Sequence, residues 1–148
     1  MNKTGINFWR NFWQDKKLKV DATYLSHTRS LSSIYEMHCA ERLGLRDSIS
    51  LDIGSGNNLR NPFGCDEVYG LDVIANPLKN IVAADLVVEP IPFEDNYLDY
   101  ISAYDFLEHI PRLIYLPQRR LPFIELMNEI WRTLKPGGIF FSHTPIYP

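Results

Sequence analysis

Asp52, Gly54 and Gly56 stand close together in the run Ser50-Leu51-Asp52-Ile53-Gly54-Ser55-Gly56-Asn57-Asn58, and a further acid, Asp72, follows twenty residues after Asp52. Glycine has no Cβ, so the backbone at 54 and 56 can turn sharply and let a bound molecule approach its N–H groups. Asp72 closes the run Val68-Tyr69-Gly70-Leu71. An ionised carboxylate only accepts hydrogen bonds, and it can take both hydrogens of a sugar diol. A glycine turn followed at this interval by a strand-ending acid suits the sugar of a nucleotide. Asp85 ends the next such run, Asn80-Ile81-Val82-Ala83-Ala84-Asp85-Leu86. It could accept from an exocyclic amine, with the Leu86 N–H offered to a purine ring and Val73 and Leu86 as apolar walls. Asp85 also suits a cap on the turn that follows it. The glycine turn alone is common to many proteins; the acids that follow in order narrow its meaning.

These residues need a scaffold that presents them together. Short apolar runs occur at Ser50 to Ile53, Val68 to Leu71, Asn80 to Leu86, Leu98 to Tyr104 and Ile139 to Thr144. Several are rich in β-branched or aromatic residues, as strands favour. Between the fourth and fifth runs, Phe123, Met127, Ile130 and Leu134 repeat at helical spacing, with Glu125 and Glu129 on the polar side. That spacing predicts a helix over 123–134. Lys135-Pro136-Gly137-Gly138 predicts the turn that stops it. The link from Gly56 to Val68 is broken by Asn61-Pro62-Phe63-Gly64, so a single turn or an irregular segment is expected in place of a full crossover helix. Strands alternating with helices or crossovers predict an α/β protein with a doubly wound, mainly parallel sheet of about five strands, covered on both faces. In such sheets ligands bind at the carboxyl ends of the strands. Gly54, Gly56, Asp72, Asp85 and Tyr104 all fall at or just past such ends, so they are expected to gather along one rim.

Residues 1–47 read as an N-terminal helical lead-in or cap, and 48–148 as the domain itself. Phe8, Trp9, Phe12 and Trp13 fall at helical spacing, and a second helix is expected from Ser30 to Leu45, with Gly44 suited to its C-terminal cap. Lys16-Lys17-Leu18-Lys19 reads as a solvated loop. The 148 residues are 45% hydrophobic and 22% charged, which is the balance of one globular domain. A net charge of −3 gives no electrostatic case for nonspecific nucleic-acid binding. Cys39 and Cys65 lie far apart without metal-ligand spacing and read as reduced thiols, so no metal is expected. No apolar run is long enough for a membrane span, and Asn7, Arg10, Asn11 and Gln14 interrupt any signal-peptide core. A cytoplasmic location is the default expectation.

The sequence resembles the class I S-adenosylmethionine-dependent methyltransferases, of the broad small-molecule branch, over about residues 48 to 145. The resemblance is carried by Leu51-Asp52-Ile53-Gly54-Ser55-Gly56, by Tyr69-Gly70-Leu71-Asp72, and by Ala84-Asp85-Leu86 followed by Ile91-Pro92-Phe93. It continues in Asp99-Tyr100-Ile101 leading to Phe106-Leu107-Glu108-His109-Ile110, and in Leu134-Lys135-Pro136-Gly137-Gly138-Ile139. The order and spacing of the whole set are specific; any one motif is not. The resemblance implies a Rossmann-like methyltransferase fold and S-adenosyl-L-methionine as cofactor. It implies that the turn of Asp52, Gly54, Ser55 and Gly56 lies against the methionine part, that Asp72 binds the ribose hydroxyls, and that Val73, Asp85 and Leu86 face the adenine. Tyr104 joins them at the end of the fourth strand. Methyl transfer asks the protein chiefly to align a nucleophile and exclude water. Where the nucleophile must lose a proton, His109 is the candidate base, with His143 behind it.

The chain departs from the family at three places. Asn58 stands where a third glycine is usual, the first crossover is short, and the sequence reaches Pro148 soon after the fifth strand, where the family adds two more. A C-terminally incomplete sheet is therefore expected, with an exposed edge. That edge or the N-terminal aromatic helix is the expected contact for a second copy. Two other readings stay open: a non-catalytic remnant or interaction module, and a nicotinamide-dependent oxidoreductase. Against the oxidoreductase, Leu59 occupies the last glycine position of the dinucleotide fingerprint. A small-molecule acceptor is expected, its identity open.

Overall fold

In the computed structural model, residues 48–145 are described; the helices expected within residues 1–47, Cys39 and the boundary of the lead-in lie outside the described residues. One sheet holds β1 (Ile49–Ile53), β2 (Glu67–Asp72), β3 (Ile81–Ala83), β4 (Leu98–Tyr104) and β5 (Leu134–His143). Their spatial order is β3-β2-β1-β4-β5, and every neighbouring pair is parallel. From β1 the chain steps outward to β3, then returns to the other side of β1 for β4 and β5. The winding reverses between β1 and β4, and the crevice at such a reversal is where open α/β sheets bind ligands.

Side chains alternate across a strand, so each face can be followed from the register. Leu51 and Ile53 of β1 stand beside Ile101 and Ala103 of β4, and Ile53 beside Leu71 of β2. All are buried in one cluster with Leu126 and Ile130 of α1 (Pro122–Thr133), the one α-helix among the described residues. Fully burying each large aliphatic side chain there contributes about 1.5–3 kcal/mol. The helix starts on Pro122, where the missing N–H costs nothing, and the Glu125 carboxylate accepts from the Leu121 N–H at 3.3 Å. Its inner end is stapled to the β3–β4 loop. Arg132 reaches Asp95, Glu129 and the carbonyls of Ile91 and Phe93 at 2.7–3.0 Å.

The opposite face carries Ser50, Asp52, Tyr100 and Ser102, with the β1–β2 link folded against it. That link holds no helix, as the proline break predicts. The Asn61 side chain closes it, donating to the Cys65 carbonyl at 2.8 Å and accepting from the Cys65 N–H at 2.9 Å. The loop so formed buries Phe63, whose ring stacks on Tyr100 at 4.7 Å. Burial pushes the Tyr100 phenol up, with nearby Cys65 and Asp99 adding to it. One aromatic side chain thus covers sheet that a crossover helix would otherwise cover.

Two elements differ from the sequence reading. β3 is only Ile81–Ala83, shorter than the apolar run that suggested it. Beyond it, the Ala84 N–H donates to the Asp72 carbonyl at 2.9 Å and the chain turns at Asp85. The stop at Lys135-Pro136-Gly137-Gly138 is a bulge inside β5. Leu134 pairs with Leu98, and Ile139 already pairs with Tyr100, so these four residues stand opposite Asp99 alone. Gly137 takes a φ of +83° in the bulge, and Lys135 Nζ holds both Asp99 carboxylate oxygens at 2.9 Å.

Candidate functional site

β1 ends at Ile53 and the chain turns at once. Gly54 and Gly56 have φ of +69° and +58°, the left-handed region that glycine enters without steric cost. The N–H groups of Gly54 and Ser55 donate to the Leu71 carbonyl at 2.7 and 3.3 Å. The Gly56 N–H donates to Asp72 Oδ2 at 2.8 Å. The turn is therefore tied to β2 before any ligand arrives. The other Asp72 oxygen accepts a longer bond from Ile74 N–H at 3.4 Å. A carboxylate offers about four lone-pair sites, so Asp72 keeps acceptor capacity. At Gly56 an added Cβ would meet nothing within 4 Å, so the turn is open on that side. At Gly54 it would lie 2.4 Å from Phe106 Cδ2, because the Phe106 ring lies directly against that backbone. Asn58 is not among the positive-φ residues; its N–H donates to the Ser55 carbonyl at 3.1 Å. The turn closes with glycine at 54 and 56 and makes no left-handed demand on position 58.

Asp52 faces into the fold. It is 2% exposed; Oδ1 accepts from Ser102 Oγ at 3.0 Å and Oδ2 from the Arg60 N–H at 2.9 Å. It ties β1 to β4 and to the start of the link beyond the glycine turn. Asp85 is buried, its Oδ1 accepting from the Val87 N–H at 3.1 Å, which is the turn-capping arrangement. The Leu86 side chain enters the core cluster, and Val73 follows Asp72 at the rim, half-buried. The Tyr104 ring is buried between Phe141, at 5.5 Å, and the Arg60 guanidinium, 4.3 Å from its centroid.

The two candidate histidines sit in different surroundings. His109 ends the short 3₁₀ turn Leu107–His109, with Nε2 3.9 Å from Glu108 Oε1. That separation is too long for a hydrogen bond. His143 ends β5 opposite Tyr104, and its Nδ1 lies 3.0 Å from Asp105 Oδ1. Asp105, which sequence reasoning passed over, has a φ of +50° and donates its own N–H to the His143 carbonyl at 2.9 Å. Among the described residues, no cluster of three or more His, Cys, Asp or Glu could hold a metal ion, and no helix is long and apolar enough to cross a membrane.

A glycine turn latched to a strand-end acid, at the winding reversal of a parallel sheet with order 3-2-1-4-5, defines a nucleotide-type α/β domain. A family model described as a methyltransferase domain matches residues 51–142, and the chain belongs to that family. Among solved structures, it is similar to an S-adenosylhomocysteine-bound phosphoethanolamine N-methyltransferase 1 of Haemonchus contortus, with TM-score 0.63 and 16% identity, covering 93% of this chain and 32% of that one. It is also similar to a Methanococcus maripaludis protein assigned as an S-adenosyl-L-methionine-dependent methyltransferase, with TM-score 0.55 and 20% identity, covering 78% of this chain and 56% of that one. The cyclase SpnF matches with TM-score 0.52 and 20% identity, covering 74% and 44%. At these identities the likeness is one of fold. The chain spans between about a third and just over half the length of these proteins. No curated protein sequence matches it.

Proposed function

We propose that this chain binds S-adenosyl-L-methionine and transfers its methyl group to a small-molecule acceptor. The observation that carries the reading is the Gly56 N–H bond to Asp72 at the winding reversal. It leaves an open backbone face and an acid with spare acceptor sites side by side, which suits the methionine and ribose parts of the cofactor. Gly54, Ser55 and Gly56 line the methionine end. Asp72 accepts from the ribose hydroxyls, and Val73 flanks the adenine, with the Leu86 backbone N–H offered to the ring beside Asp85. Tyr104 walls the methyl end. Asp52 acts at one remove, by holding the segment that follows the turn. The bound cofactor supplies a methyl group already activated by a sulfonium, so the residues need only bind, orient and exclude water.

Titration calorimetry with S-adenosylhomocysteine tests this. Binding is expected for the wild type, with NADH giving no heat. Asp72→Asn keeps an acceptor for the Gly56 N–H while removing the charge, and it is expected to weaken binding at least about tenfold, or ~1.4 kcal/mol. Equal affinity for wild type and Asp72→Asn would sink the assignment of Asp72; heat with NADH alone would favour an oxidoreductase. Because a cyclase shares the fold, fold does not fix chemistry. Mass spectrometry of a small-molecule acceptor panel supplies the second half of the test. Cofactor binding without any methylated product would favour a non-catalytic binding module.

A further inference from the structure

Asp72 and Asp85 lie on the β2–β3 side of the glycine turn, so the cofactor assigned above occupies that half of the rim. The other half, over β4 and β5, holds a pair of groups that this reading does not use. We propose that His143, held by Asp105, accepts the proton of a hydroxyl-bearing acceptor during methyl transfer. The inference rests on the cofactor reading and adds to it a base, a positioning residue and an acceptor class.

The register fixes where the pair stands. Ile53, Ala103 and Ser142 lie side by side on β1, β4 and β5, and one residue further on Tyr104 faces His143. Adjacent strands are about 4.8 Å apart, so His143 sits about 10 Å across the rim from the glycine turn. Phe106, which packs on Gly54, directly follows Asp105. The β4 end therefore touches the turn with one residue and His143 with the one before it.

The pair is built at two points. The Asp105 N–H donates to the His143 carbonyl, and Asp105 Oδ1 faces His143 Nδ1 at 3.0 Å. Asp105 reaches both through a φ of +50°, a conformation rare outside glycine. An ionised carboxylate only accepts, so Nδ1 carries the hydrogen and Nε2 presents its lone pair. The Tyr104 ring, 6.4 Å from the imidazole, is the neighbouring titratable group on β4, with the Arg60 guanidinium against that same ring.

That arrangement suits an O–H acceptor. A neutral hydroxyl is a poor nucleophile until its proton leaves. An amine attacks through its free lone pair and can lose a proton to water afterwards. In the transfer, the acceptor oxygen forms a bond to the methyl carbon as the carbon–sulfur bond breaks, its electron pair returning to sulfur. The hydroxyl proton passes to His143 Nε2, and the imidazolium is balanced by Asp105. Asp105 is a positioning residue, acting through His143.

The test reads the tautomer before it reads turnover. Long-range ¹H–¹⁵N NMR at about pH 8, above the ordinary imidazole value, is expected to show His143 as the Nδ1–H tautomer in the wild-type chain. Asp105→Gly tolerates a left-handed backbone and is expected to abolish that signature while the amide spectrum keeps its dispersion. Asp105→Asn, whose amide oxygen can still accept from Nδ1–H, is expected to keep the tautomer but lose the charge that balances the imidazolium. S-adenosylhomocysteine affinity should stay within about twofold in these variants and in His143→Gln. Against hydroxyl acceptors, His143→Gln should lose about 10²–10⁴ in rate. An Nε2–H tautomer in the wild type, or one indifferent to Asp105→Gly, overturns the proposal while leaving normal cofactor heat intact. Methylation of amines alone, unaffected by His143→Gln, overturns it as well. Absence of cofactor heat in the wild type removes the underlying reading, and the proposal with it.

Discussion

Gly54→Ala and Gly56→Ala form a matched pair that separates backbone strain from steric conflict. Both glycines have nearly the same positive φ, +69° and +58°. An alanine at either is expected to lose about 1–2 kcal/mol to the left-handed backbone. At Gly56 nothing stands within 4 Å of the new methyl, so the cost ends there. At Gly54 the methyl would lie 2.4, 2.7 and 2.9 Å from Cδ2, Cγ and Cβ of Phe106. Because Cβ itself is in the way, rotating the ring does not relieve the clash, and the backbone after β4 must shift. Overpacking of this kind adds about 1–3 kcal/mol. Gly54→Ala should therefore cost about 2–5 kcal/mol, a large part of a typical domain's 5–15 kcal/mol. Urea unfolding followed by two probes, with coincident transitions, measures both variants. Adding Phe106→Ala removes Cδ2 and Cγ but keeps Cβ, so it should return part, not all, of that ~1–3 kcal/mol overpacking cost as coupling energy and none of the Gly56→Ala loss. Equal costs for the two single variants, within about 0.5 kcal/mol, would refute the placement of Phe106 on the turn.

Three further outcomes follow from the same geometry. Asp52→Ala leaves the Ser102 hydroxyl and the Arg60 N–H without their shared acceptor; it should destabilise by about 1–3 kcal/mol for each group left unsatisfied, read in the same urea assay. Phe63→Ala strips the cover from Tyr100 and should cost about 3–5 kcal/mol, with faster amide exchange in β1 and β4 as the local readout. The Arg132 guanidinium holds the Glu129 carboxyl below the usual carboxylate range, partly opposed by burial. The folded chain thus binds fewer protons there than the unfolded chain, whose glutamates titrate near about 4.3. That stability is present above the unfolded value and fades as pH falls through the lower folded value. Glu129→Gln should flatten this acid limb in urea midpoints measured from about pH 6 to about pH 2.

The parts of the fold read correctly from the sequence are those where one local signal dominates. β4 coincides with Leu98–Tyr104 because an apolar run is bounded by a loop rich in proline and acids on one side and by Asp105 on the other. α1 begins one residue earlier than its apolar stripe, at Pro122, because proline is favoured in a first turn. The missing first crossover helix was legible in Asn61-Pro62. The end of β3 was not, since Ala84 and Leu86 are as apolar as the residues before them; the bond from Ala84 N–H to the Asp72 carbonyl is the last of the β2–β3 ladder before the chain turns at Asp85. For the site, Gly54, Gly56 and Asp72 were legible as a group by interval. That Asp52 spends both oxygens inside the fold was hidden, because alternation gives its face but not what covers that face. Asp105 was passed over for a deeper reason. Its pairing with His143 depends on the β4–β5 register, which cannot be counted through a bulge, and on a left-handed φ that residue type does not announce.

That bulge has a consequence for how the protein can vary. Across most of a sheet, adding or deleting one residue exchanges inside for outside along the rest of the strand. Between Leu134 and Ile139 the ladder is already interrupted and resumes at Tyr100. Residues 135–138 therefore act as an expansion joint. A change of length there is absorbed without altering which residue of β5 meets which residue of β4, so His143 stays opposite Tyr104. One residue removed between Ile139 and Ser142 would instead turn the histidine to the helix-covered face. Tolerance of length in this part of the chain is thus set by position relative to the joint, and the rim is insulated from the point where α1 runs into β5 without a loop.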